Sequence, residues 1–209
     1  TAVRGYQGQT DRIAQCLAAQ PGMFPGALPP LDAVLATAGH APGEYTNKVD
    51  VELSATMPAR MALAAVLLRL LDTLEANVAG TIRDIDTEFL HDLRVAVRRT
   101  RTALKLGADL LPGGLAAEYQ PAFKWLGDLT TPTRDLDVHL LGFAAGAAEL
   151  TSASPADLEP FHTYLAERRT AEQHQLARAL RSARFTALST AWRGTLTGLT
   201  PPRRGPDAA

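Results

Sequence analysis

Apolar residues recur at three- and four-residue intervals along most of the chain, the pattern of helices that bury one face. Leu63, Val66, Leu67, Leu70, Leu71, Leu74 and Val78 predict a first long helix from Thr56 to about Gly80, with Pro58 in its first turn. Leu90, Leu93, Val97, Leu104 and Leu111 predict a second over Asp86–Leu111, capped by acids at its start and stopped by Pro112-Gly113-Gly114. A third, about Ala116–Thr130, carries Tyr119, Phe123, Trp125 and Leu126. The Thr130-Thr131-Pro132-Thr133 stretch predicts a break before a fourth, about Arg134–Leu150, that buries Leu136, Leu140, Phe143 and Ala147. Ser154-Pro155 opens a long fifth helix reaching about Arg184, and Leu188, Trp192 and Leu196 mark a sixth over Thr186–Leu196. The expected fold class is therefore all-α, an antiparallel helical bundle of about six helices joined by short loops.

Upstream the pattern is weaker. Short helices are expected over Asp11–Ala19 and Leu31–Ala38, separated by a Pro/Gly loop at Gln20–Pro30. Val49, Val51 and Leu53 alternate with Lys48, Asp50 and Glu52, which fits either a short strand or an extended arm laid on the helices. The expected organisation is an N-terminal segment over 1–55, a helical domain over 56–199 and a tail over 200–209 with nothing to pack.

The second helix also carries a charged row. His91, Arg94, Arg98, Arg101 and Lys105 follow one another at intervals of three, four, three and four residues. At about 100° per residue they fall in an arc of roughly 80°, and the row is roughly 21 Å long. No acid lies between Asp92 and Asp109, so these cations have no partners along their own helix. Repulsion at such spacings costs a few tenths of a kcal/mol per pair, a cost that a polyanion laid along the row would remove. In the fifth helix His174, Arg178 and Arg181 share an arc of roughly 60° by the same geometry. Two such rows exceed what a solvated face needs, and arginine's planar fork suits phosphate oxygens. Arg99, off the row, reads as a plain surface residue.

Composition limits the alternatives. The 209 residues carry a net charge of −1, so anion binding must come from local clustering, not from the field of the whole molecule. That balance, and the lack of aromatics between the basic residues, disfavours nucleic acid. The single cysteine, Cys16, excludes an internal disulfide and fits a reducing, cytoplasmic compartment. No basic-then-apolar leader opens the chain, and Met61–Leu71 is too short and too interrupted to span a membrane. Two E-x-x-H pairs, Glu88/His91 and Glu159/His162, have the spacing of di-metal bundles, and Asp135 with His139 could join them. A metal-dependent oxidase or phosphohydrolase is the rival reading, but divalent ions would be repelled by Arg94 one turn from His91. Asp137 reads as a first-turn complement to the helix dipole, and Asp135 either as the same or as an anchor for Arg134 or an arginine of the row. No nucleophile–base pair, phosphate-binding glycine loop or zinc spacing is present, so no catalytic or metal residues are assigned.

Three stretches carry a family resemblance. HDLRVAVRRTRTALKL at His91–Leu106, KWLGDLTTPTRDLDVHLL at Lys124–Leu141 and YLAERRTAEQHQLARALRSARFTALSTAW at Tyr164–Trp192 resemble, in order, motifs of the conserved-histidine α-helical domain, or CHAD, family. The resemblance covers about Ala59–Leu199. It implies a non-catalytic all-helical module that binds inorganic polyphosphate, free or in granules, through a basic surface and without a cofactor. The residues it maps are His91, Arg94, Arg98, Arg101, Lys105 and Arg134, with Lys124, Arg178 and Arg181 joining them. Family members usually carry a second, similar half, which implies that a homodimer or a further half completes the groove. VRGYQGQTDRI and PGEYTNKVDVEL, before Ala59, resemble the segment joining a CYTH domain to CHAD, but the paired E-x-E of the CYTH tunnel is missing.

Overall fold

The structure is a computed structural model. It describes residues 7–20, 37, 46–150 and 154–200. The chain divides into two compact units, Thr1–Thr46 and Asn47–Ala209. The first contains helix α1 (Gln7–Ala18), which begins earlier than expected. The expected loop at 21–30 and the tail at 201–209 lie outside the described residues, as does all but Thr37 of the helix expected over 31–38.

The second unit begins with an irregular arm over residues 47–58, in which no strand forms. A lone period-2 segment has no neighbour to complete a ladder, so its polar groups turn to the helices instead. Asn47 Nδ2 donates to Asp92 Oδ1 at 2.9 Å, and Arg99 Nη1 donates to the Asn47 carbonyl at 3.2 Å. Arg99 is thus a tether for the arm and not a plain surface residue.

Five helices follow among the described residues: α2 (Ala59–Arg83), α3 (Thr87–Leu106), α4 (Leu115–Ala148), α5 (Pro155–Leu180) and α6 (Ala183–Leu199). Helix α2 ends on Asp84, whose φ of 54° is left-handed. The Ile85 N–H reaches back to the Gly80 carbonyl and the Asp84 N–H to that of Thr81, a Schellman closure with aspartate where glycine is usual. Asp86 then caps α3, its carboxylate accepting from the Glu88 N–H at 2.8 Å.

Helix α3 stops at Gly107, short of the expected Pro112-Gly113-Gly114, and continues as a 3-10 turn over Ala108–Leu110. A Cβ on Gly107 would lie 2.4 Å from the Leu63 side chain of α2 and 2.9 Å from the Ala103 carbonyl oxygen, so glycine suits the point where the two helices close on each other.

The largest departure is α4. The expected break at Thr130–Thr133 is absent, and one helix of 34 residues runs through both Pro121 and Pro132. Pro132 lacks the N–H that would bond the Asp128 carbonyl, a loss of about 3 kcal/mol in an isolated helix. Packing of α4 against α3 and α5 holds it together instead. Thr130 and Thr131 next to the proline turn their hydroxyls back on the Leu126 and Gly127 carbonyls, at 3.0 and 2.8 Å. Asp137 is therefore mid-helix, and its expected role as a first-turn acid does not hold. It is buried and accepts from Arg169 Nε of α5 at 2.8 Å, while the rest of that guanidinium grips Asp84. Arg169 so joins the end of α2 to the middle of α4, and these hydrogen bonds raise its pKa above the ordinary arginine range against the opposing effect of its burial.

The core lies where α2, α3, α4 and α6 meet, joined by Leu176 and Leu180 at the end of α5. Leu67, Leu74, Leu93, Leu104, Phe123, Leu126 and Trp192 are enclosed there. The Trp192 ring packs on Tyr119 at 4.4 Å and on Phe123 at 5.6 Å between centroids. The distal part of α4 is outside this core: Leu136, Leu140, Phe143 and Ala147 are only half-buried, Phe143 against Phe161 and His162 of α5. Helix α5 ends at Leu180 because Ser182, whose hydroxyl accepts from the Phe185 N–H, caps α6.

Candidate functional site

Helix α3 buries Leu90, Leu93, Val97 and Leu104, which turns its cationic row toward the groove between α3 and α4. His91 and Arg94 are half-buried there, and Arg98, Arg101 and Lys105 are exposed. Two adjoining cavities occupy the groove. One, of about 300 Å³, is lined by His91, Arg94, Arg98 and Arg101 from α3 and by Gly127, Thr130, Thr131 and Arg134 from α4. The other, of about 580 Å³, is lined by Arg98, Arg101, Thr102 and Lys105, facing Gln120, Pro121 and Lys124. Arg98 and Arg101 belong to both, so the cavities form one trough along the row.

The cations of the trough are only partly offset by acids. Burial pulls the Arg94 pKa below its ordinary range, the guanidiniums of Arg134 and Arg98 add to that, and Asp135 opposes them. Asp135 thus acts on the row through its field. Arg94 Nη1 donates to the hydroxyls of Thr131 at 2.8 Å and Thr130 at 3.2 Å, neutral acceptors that orient it without cancelling its charge. Arg134 Nη1 is buried with no hydrogen-bond partner among the described residues. Lys124 meets Asp128 at 2.5 Å, but both side chains are exposed and such a pair contributes about 0.5 kcal/mol or less. A row of donors with spare capacity, in a groove open along its length, can receive a linear anion through charge-assisted hydrogen bonds.

Seven of the nine residues expected at the site therefore come together: His91, Arg94, Arg98, Arg101, Lys105, Lys124 and Arg134. Arg178 and Arg181 do not. Arg178 on α5 and Arg181 at the C-terminal cap of α5 are exposed, and they line neither cavity; α5 itself packs on α4, α2 and α6. The E-x-x-H pairs are also apart in role, with His91 in the trough and His162 against the Phe143 ring at 4.8 Å. Among the described residues no three His, Cys, Asp or Glu side chains gather as metal ligands.

Sequence reasoning missed Gly127, Thr130 and Thr131. On one continuous helix Lys124, Gly127, Thr131 and Arg134 are spaced three, four and three residues apart, matching the row on α3. That register was in the sequence, hidden by the assumption that Pro132 ends a helix.

Fold and groove together define an all-α bundle domain with a cation-lined cleft between two of its helices. Among protein families the CHAD domain model matches residues 65–209, and the chain belongs to the CHAD domain family. It is similar to the crystal structure of the CHAD domain from the plant Ricinus communis, with 30% identity and a TM-score of 0.61. That match covers 80% of this chain and 54% of the plant chain, so this chain spans about half the length of that structure. No curated protein shows a significant match to the chain. Among the described residues no helix is long and apolar enough to cross a membrane.

Proposed function

We propose that this chain is a non-catalytic module that binds inorganic polyphosphate in the α3–α4 trough. The observation that carries the reading is the alignment of Arg94, Arg98, Arg101 and Lys105 on one wall with Lys124 and Arg134 on the other. Family membership supports it, since the CHAD resemblance implies this ligand. Free polyphosphate or polyphosphate granules are the partner, and a second copy or a further half of the fold would complete the groove.

Binding of this kind releases counterions, so affinity falls with salt by about 0.7 in log K per log unit for each phosphate neutralised, by analogy with single-stranded nucleic acid. About five contacts predict a loss on the order of a hundredfold between 50 and 200 mM salt. Titration of the protein with end-labelled polyphosphate across that range checks it, and a flat dependence would reject the reading.

His91 lines the trough and offers a ring N–H to a phosphate oxygen. His91→Ala is expected to weaken binding about three- to tenfold, read in the same titration; an unchanged affinity would remove His91 from the site.

A further inference from the structure

Resting on this reading of the trough, we propose that Thr131 is a positioning residue that holds the Arg94 guanidinium in its anion-receiving pose. Gly127 clears the space that Arg101 needs beside it. Both line the trough, but each acts through an arginine.

The hydrogen-bond chain has a fixed direction. Thr131 Oγ1 donates its only hydrogen to the Gly127 carbonyl at 2.8 Å, and Thr130 Oγ1 donates to the Leu126 carbonyl at 3.0 Å. Both hydroxyls therefore present lone pairs outward, and Arg94 Nη1 donates to both. Helix α3 offers no acid to do this, because Leu90 and Arg98 stand one turn away on either side. An aspartate at 131 would hold the guanidinium more strongly but neutralise it in the ground state. A hydroxyl orients the group and leaves its charge for the ligand. Helical spacing then puts Gly127 one turn earlier on the same wall, where a Cβ would lie 2.9 Å from Arg101 Nη1. The crowding falls on the mobile end of Arg101, so an alanine there moves the guanidinium and leaves the backbone in place.

An arginine ordered before binding spares the complex the cost of ordering it, worth about three- to tenfold in affinity. Thr131→Val, nearly isosteric, is expected to bind long-chain polyphosphate about three- to tenfold more weakly, while Thr131→Ser binds like wild type. The salt slope of Thr131→Val should match wild type because the Arg94 charge remains, whereas Arg94→Ala lowers it by about one contact's worth. Gly127→Ala should weaken binding in the wild-type background and add little in Arg101→Ala. A second readout needs no ligand: in the free protein the Arg94 Nε–Hε group should be rigid by NMR relaxation in wild type and Thr131→Ser and mobile in Thr131→Val. Equal affinity for wild type and Thr131→Val, equal weakness of the valine and serine variants, or an Arg94 equally rigid in all three overturns the proposal. Wild-type protein that binds no polyphosphate would instead overturn the reading of the trough, and the assigned role of Thr131 with it.

Discussion

Replacing Arg94, Arg98 and Arg101 together by alanine is expected to lower polyphosphate affinity by about three orders of magnitude at low salt. The estimate takes about 1.5 kcal/mol for each charge-assisted contact, the low end of the usual range, and about 1.4 kcal/mol per factor of ten. The salt slope should flatten in step, because three cations no longer displace counterions. The fold should survive. All three side chains point into the groove, and the seam of Leu90, Leu93, Val97 and Leu104 beneath them is untouched. Alanine is also the better helix former, and the substitution removes like-charge repulsion along α3. Affinity by titration, with helicity and Tm by circular dichroism, checks both halves. A triple variant that binds like wild type places the ligand elsewhere.

The second large effect is on stability and lies away from the trough. Arg169→Ala should destabilise the helical unit by about 3–5 kcal/mol, because it strands a buried carboxylate. Asp137 is 2% exposed and its Oδ1 accepts from Arg169 Nε, while its Oδ2 has no hydrogen-bond partner among the described residues. Asp84 loses its partner at the same time, and its left-handed backbone loses the contact that anchors it. For a domain of this size the Tm should fall by about 10 °C. Arg193→Ala gives the contrast. Arg193 also bridges two acids, Asp72 and Glu75, but it is 40% exposed and its partners are 49% and 35% exposed. Solvent screens such a network, and its loss should cost about 1 kcal/mol or less. Thermal melts of the two variants side by side test the ranking; equal melting shifts would mean that burial does not set the strength of these pairs.

Legibility in the sequence followed the range of the interaction. The α3 row and its seam were readable because both are set by one helix's own period. The start of α3 was readable too, since Asp86 caps through its nearest neighbours. Its end was not, because Gly107 answers to Leu63 on another helix. Pro132 misled for the same reason: its local cost is real, but α3 and α5 on either side outweigh it. With that helix divided at Pro132, Asp137 looked like a first-turn acid and the alignment of Lys124, Gly127, Thr131 and Arg134 went unseen. The partner of Asp137 lies 32 residues away in the chain, beyond the reach of any spacing rule.

By itself, then, the sequence determined that the chain is helical, which face of each helix is apolar, and where cations line up. It also carried the motifs of the CHAD family, which the family match bears out. Spacing alone treats its two cationic rows alike, since His91–Lys105 and His174–Arg181 obey the same period; only the absence of acids beside the first row favoured it. Tertiary structure sets them apart in geometry: α4 supplies a second wall to the first row, while Arg178 on α5 and Arg181 at its C-terminal cap are exposed and line neither cavity. The reason is physical. Periodicity orders side chains around one axis, but a groove needs two axes side by side, and their pairing is set by how the apolar faces of all the helices pack at once.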